Sequence, residues 1–121
     1  MVKIPPRPAL ALMTALMLAG CARTQLAADL RTAQAPCRDR EFRDKSALAA
    51  CLGEHERPVW AKDDPATLDI YDGFARGRAA LARHYDDGAI TRQQYDAQLD
   101  RLESDARTQL AQRHKQASTN P

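Results

Sequence analysis

From Leu68 onward the large apolar residues fall at three- and four-residue steps. Leu68, Tyr71, Phe74, Ala75, Leu81, Ala82 and Tyr85 form one stripe, and Tyr95, Leu99, Leu102, Ala106 and Leu110 form a second, narrower one. This is the period of an α-helix that buries one face. The chain has no strand-like alternation of any length and no internal repeat. The first stripe opens at Asp63-Asp64-Pro65, where an aspartate can cap free amides and a proline at the first helical position gives up no hydrogen bond. The second opens at Ile90-Thr91-x-x-Gln94, a hydrophobic residue before an N-cap followed by a capping box. Gly88, just ahead of it, suits the left-handed geometry of a helix end. At helical rise, residues 65–87 span about 34 Å and residues 92–115 about 36 Å. Two helices of matched length joined by a tight turn predict an antiparallel hairpin over 65–115, with 116–121 as a disordered tail.

Upstream, "DKSALAACLGEHERP" predicts one short helix, with Leu48, Cys51 and Leu52 on or near one face and Gly53 as its stop. A polar connector then holds Val59 and the single tryptophan, Trp60. Trp60 reads as a plug over a small helical core or, more sharply, as a partner-binding anchor. Arg78 falls inside the first apolar stripe by angular position and is expected to snorkel or to meet a carboxylate from a neighbouring helix. Gly73 and Gly77 each cost roughly 1 kcal/mol against alanine in a helix interior. Together they suggest close approach of another backbone, the Cys51 helix being the candidate.

The beginning of the chain follows a different pattern. Lys3 and Arg7 precede a weakly polar stretch from Ala9 to Ala19, with no acidic residue among the first twenty. Eleven helical residues rise only about 16 Å, too little for roughly 30 Å of bilayer hydrocarbon, but suited to the apolar core of a secretory signal. The stretch ends in Leu18-Ala19-Gly20-Cys21. This order resembles the lipobox of bacterial lipoproteins. The resemblance implies a diacylglyceryl group on the Cys21 thiol, cleavage before Cys21, and a cleaved signal over 1–20. Ala22, rather than an aspartate, follows Cys21, which in many Gram-negative bacteria implies delivery to the outer membrane, periplasmic side. Two or more acyl chains anchor stably where a single one does not. Residues 21–36, ending in Pro36, have little apolar content apart from Leu26 and Leu30; they read as a lipidated, flexible tether reaching on the order of 20 Å, the alternative being a short helix near the bilayer surface, since Leu26 and Leu30 sit one helical turn apart.

Removing the signal changes the charge. Lys3 and Arg7 leave the eighteen basic residues, so sixteen remain against sixteen acidic ones. A balanced chain gives no bulk-charge argument for nucleic acid as a partner. With Cys21 lipidated, Cys37 and Cys51 remain, a pair that an oxidising periplasm would join as a disulfide; an intermolecular bond or two free thiols are the alternatives. An intramolecular bridge carries a condition. One continuous helix would hold the two Cα atoms about 21 Å apart, against the roughly 7 Å limit of a disulfide, so Cys37 must lie outside the helix that carries Cys51. The expected fold is therefore all-α: a short disulfide-clipped helix plus a long antiparallel hairpin, in a small domain over 37–115.

No catalytic set emerges. His55, His84 and His114 are far apart, and Glu54-His55-Glu56 lacks the spacing of a helical zinc site and reads as a solvated loop. No Gly-rich phosphate loop or nucleophile elbow is present. The expectation is a non-enzyme with no cofactor and no metal site.

The stretch "LARHYDDGAITRQQYDAQLDRL", Leu81 to Leu102, resembles the SHOCT-type helical hairpin through Asp86, Gly88, Ile90, Thr91, Tyr95, Leu99 and Leu102. Its flanking helices are longer than in that module, and Gln93 and Gln94 stand where acidic cap residues are usual. This resemblance implies an interaction or oligomerisation element. The whole chain after Cys21 is also similar to small proteobacterial lipoproteins with a cysteine pair ahead of such a hairpin, a resemblance that brings no activity with it. The function expected is an envelope interaction or assembly module that binds another envelope protein or itself. The alternative is a small inhibitor or accessory subunit of a periplasmic enzyme, with Trp60 and the 53–64 loop inserting into a cleft.

Overall fold

Four helices follow one another with no strand among the described residues, 24–119 of the computed structural model. The first, α1, is helical from 24 through 38. It is followed by α2 (Lys45–Asp63), a 3-10 turn (Pro65–Thr67), α3 (Leu68–Asp86) and α4 (Arg92–Thr119). The signal, the lipobox and Cys21 lie outside the described residues.

Each helix runs antiparallel to the one before it. Cys37 of α1 meets Cys51 of α2, Gln34 meets Glu56, and Asp29 comes against Asp63. Between α2 and α3, Ser46 bonds Asp86, Glu56 bonds Arg78, and Arg57 bonds Asp72. Between α3 and α4, Tyr85 packs on Tyr95 at 5.2 Å and Asp69 pairs with Arg113 at 2.9 Å. α3 is central, packing against both α2 and α4. The buried cluster of Ala49, Leu81, Ala82 and Tyr95 lies where these three helices meet, closed by Tyr85, Ile90 and Leu99.

The α3–α4 junction forms as its sequence predicts. Gly88 has φ of 75°, the left-handed position that favours glycine. The amide of Gly88 donates to the Tyr85 carbonyl and that of Ala89 to the His84 carbonyl, the two bonds of a Schellman end. The Thr91 amide donates to Gln94 Oε1 at 2.8 Å, and the Gln94 amide donates to Thr91 Oγ1 at 3.1 Å, which completes the capping box.

Four expectations change. The 24–36 part of the tether is helical, because Leu30 and Gln34 find surface on the other helices. Gly53 does not stop α2, and Glu54-His55-Glu56 and Trp60 are helical rather than loop. Pro58 lies on the exposed face with Glu54, so the carbonyl that loses its amide partner remains open to water while the opposite face packs. The space at Gly77 is used by α4 rather than α2: a Cβ there would lie 2.7 Å from Leu102 Cδ2, while Gly73 has open space. Finally, α4 continues to Thr119 instead of fraying at His114, held by the bidentate Arg113–Asp69 pair, an Arg113 bond to the Ala66 carbonyl and a His114–Asp64 contact of 3.3 Å. Residues 116–119 are thus helix, not tail.

Asp64 makes no side-chain cap. The capping aspartates of the structure are Asp44, which accepts from the Ala47 amide at 2.7 Å, and Asp86, which reaches back from the end of α3. Asp86 accepts from the Lys45 amide at 2.9 Å, and from the amide and hydroxyl of Ser46 at 2.8 and 2.6 Å. The Ser46 hydroxyl chiefly, and these amides with it, hold the Asp86 carboxyl below its ordinary pKa. A depressed carboxyl stabilises the fold above its unfolded pKa, and that stability is lost as pH falls through the folded value. Asp86→Asn should therefore melt below the wild type at pH 7, with the gap closing as pH falls below about 4; thermal unfolding followed by circular dichroism at both pH values checks this.

The cysteine pair meets its geometric condition. Cys37 is in the last turn of α1, Cys51 is in α2, and their Cα atoms are 5.8 Å apart across a disulfide. A closed loop of this length contributes about 3 kcal/mol by constraining the unfolded chain. Replacing both cysteines by serine should lower the urea-unfolding free energy by about that amount while helical ellipticity persists.

Candidate functional site

A buried carboxylate joins three helices. Glu56 is 4% exposed on α2. Its Oε1 accepts from Arg78 Nη2 at 2.8 Å and from the Tyr71 hydroxyl at 3.0 Å, both on α3, and its Oε2 accepts from Gln34 Nε2 of α1 at 2.6 Å. Arg78 thus meets a carboxylate of a neighbouring helix, the second of the two outcomes its place in the stripe allows. Its guanidinium also lies 5.0 Å from the centre of the Phe74 ring, within range of a cation–π attraction. Arg78 Nε is buried without a protein partner. Burial foremost, and the Glu56 charge after it, push the Tyr71 hydroxyl pKa well above its ordinary value, so Tyr71 stays a proton donor to Glu56.

Above this cluster lies an open cavity of about 270 Å³ between α1 and α4. Leu30 and Gln34 form one wall, Ala106, Arg107 and Leu110 the other, and Phe74 and Arg78 line it from α3. The lining is mostly apolar, with charge confined to Glu56, Arg78, Glu103 and Arg107. Trp60 also lines this cavity. Its ring stacks on Tyr71 at 5.1 Å and its Nε1 donates to the Thr67 hydroxyl at 2.9 Å. Trp60 is therefore a half-buried element of the α2–α3 contact. With 53–63 helical, the 53–64 loop that the inhibitor reading inserts into a cleft is not formed.

The second cluster surrounds the disulfide. His55, one helical turn after Cys51, places Nδ1 3.8 Å from Cys37 Sγ and 3.9 Å from Cys51 Sγ. The same Nδ1 lies 2.9 Å from the Cys51 carbonyl oxygen, to which it donates. Cys37 and Cys51 are brought together as their sequence pairing requires, with Trp60 beyond them on α2, and Cys21 lies outside the described residues. The site residues that the sequence does not single out are Glu56, Gln34 and Tyr71 in the first cluster and His55 in the second. The signal for the first was the spacing of Glu56 from the Cys51 face, which only a longer α2 makes meaningful.

No protein-family model, curated protein or solved structure matches this chain.

Removing Glu56 leaves the Arg78 charge buried and uncompensated. Glu56→Ala should cost about 3–5 kcal/mol in urea unfolding, whereas Glu56→Leu combined with Arg78→Met should recover most of that loss. A double replacement as unstable as the single one would contradict this account of the pair.

Proposed function

We propose that this chain is a lipid-anchored envelope lipoprotein that acts as a non-enzymatic interaction module. The anchor would be acyl chains on Cys21 and the location the periplasmic face of the outer membrane. The observation that carries the interaction role is the groove between α1 and α4, largely apolar and open over an α3 floor whose polar groups are internally paired except for Arg78 Nε. Such a surface suits a partner helix that brings an apolar stripe, with Glu103 and Arg107 on the rim to set its register. Among the described residues no helix is long and apolar enough to cross a membrane, so the reading assigns the membrane contact to Cys21.

Two arms test this. Cys21→Ser should lose the acyl mass on intact-protein mass spectrometry and leave the membrane fraction. A photo-crosslinking residue in place of Leu110, in the native envelope, should yield a discrete adduct with an envelope protein or with a second copy. The same crosslinker at the exposed Asp100 should yield none. Membrane retention of the serine variant refutes the anchor, and equal or absent adducts at the two positions refute the groove.

A further inference from the structure

We infer that Cys37, Cys51 and His55 form a latent metal site, closed while the disulfide stands and opened by its reduction, for a thiophilic cation with a filled d shell such as Zn²⁺ or Cu⁺. This does not depend on the lipid-anchor reading. Two sulfurs and one imidazole nitrogen lie within 4.8 Å of one another, and thiolate with imidazole is the donor set that such cations favour. The placement comes from the fold. Cys51 and His55 are four residues apart, on one face of α2, and Cys37 arrives on the same face from the last turn of α1.

The site has its own support. Gln34, one turn before Cys37, donates to Glu56, the residue after His55. This bond ties α1 to α2 beside the sulfurs without involving either of them, so breaking the bridge leaves its two halves in register. A bound ion requires sulfurs about 3.8 Å apart, and the 5.8 Å Cα separation accommodates that by side-chain rotation. The three donors supply a complete trigonal set for Cu⁺ or leave one position for water on Zn²⁺.

The chemistry balances with a dithiol as reductant. It delivers two electrons and two protons, its own sulfurs join, the Cys37–Cys51 bond breaks, and two thiols result. Binding the cation releases both thiol protons to solvent. His55 Nδ1 gives up its bond to the Cys51 carbonyl and turns its lone pair to the ion, with the ring proton now on Nε2. The same two sulfur atoms therefore serve either a covalent clip or a cation, never both.

The test uses the full chain with Cys21→Ser in every arm, so that its thiol does not compete. The protein is reduced with a dithiol, freed of it anaerobically, and titrated with Zn²⁺ and separately with Cu⁺ against a chromophoric chelator. The expected result is one ion per reduced chain, none in the oxidised chain and none after Cys37→Ser. His55→Ala, whose oxidised form provides the folding control, should bind more weakly by over about tenfold, the least that loss of even an outer partner costs at such sites. Binding of either cation in this pattern supports the site, and the tighter of the two names its ion. Absence of binding to the reduced chain, an affinity unchanged by His55→Ala, or loss of helical ellipticity on reduction overturns it.

Discussion

The arrangement depends on a single carboxylate out of water. Glu56 cannot be buried as an anion unless its charge is met and its lone pairs are filled, and the donors that do this come from different helices. Arg78 and Tyr71 fix α3 against α2, and Gln34 fixes α1 against both. A core of only a few large apolar side chains is non-directional and would tolerate a slipped register. The Glu56 bonds do not, because a one-turn slip would leave both an unpaired guanidinium and an unpaired carboxylate inside the protein. Here the ion pair defines which arrangement forms, more than how stable it is.

Capping extends the same logic to the helix ends. Asp86 closes α3 and caps α2, so the start of one helix and the finish of the next are a single hydrogen-bonded unit. Arg113 performs the matching task at the opposite end, gripping Asp69 and the Ala66 carbonyl from α4. The central helix is thus clasped at both ends by charged groups, its own Asp86 reaching out to α2 and Arg113 reaching in from α4. The Arg113 guanidinium is the first cause of the lowered Asp69 pKa, so both clasps weaken on the acid side.

What the sequence discloses divides along the range of the physics. The α3–α4 junction was legible because its determinants are local: Gly88, Thr91 and Gln94 satisfy one another within a few residues. The Cys37–Cys51 pairing and the inward-facing Arg78 were legible because a bare count or an angle constrains them. The length of α2 was not. Gly53 and Pro58 both signal an end, and they are overruled by packing of Glu56 and Trp60 onto α3, which no local pattern encodes. The helicity of α1 was marked only by Leu26 and Leu30 one turn apart, and its packing by nothing local, since Leu30 and Gln34 acquire meaning only once a groove exists to receive them. The site at the disulfide stays hidden because Glu54-His55-Glu56 has the composition of a loop, and four-residue spacing matters only on a helix.

The placement of the disulfide also determines how the molecule bears load. The bridge joins α2 to the end of α1 nearest the chain reversal, while residue 24 lies at the opposite end. A pull entering from the N-terminal side would peel α1 away turn by turn, releasing residues 24–36 before any covalent stop engages. Fully drawn out, that segment spans roughly 45 Å. Beyond that extension tension passes through sulfur directly into α2 and bypasses the peptide between the cysteines, so residues 38–50, with the first turns of α2, are shielded from the force.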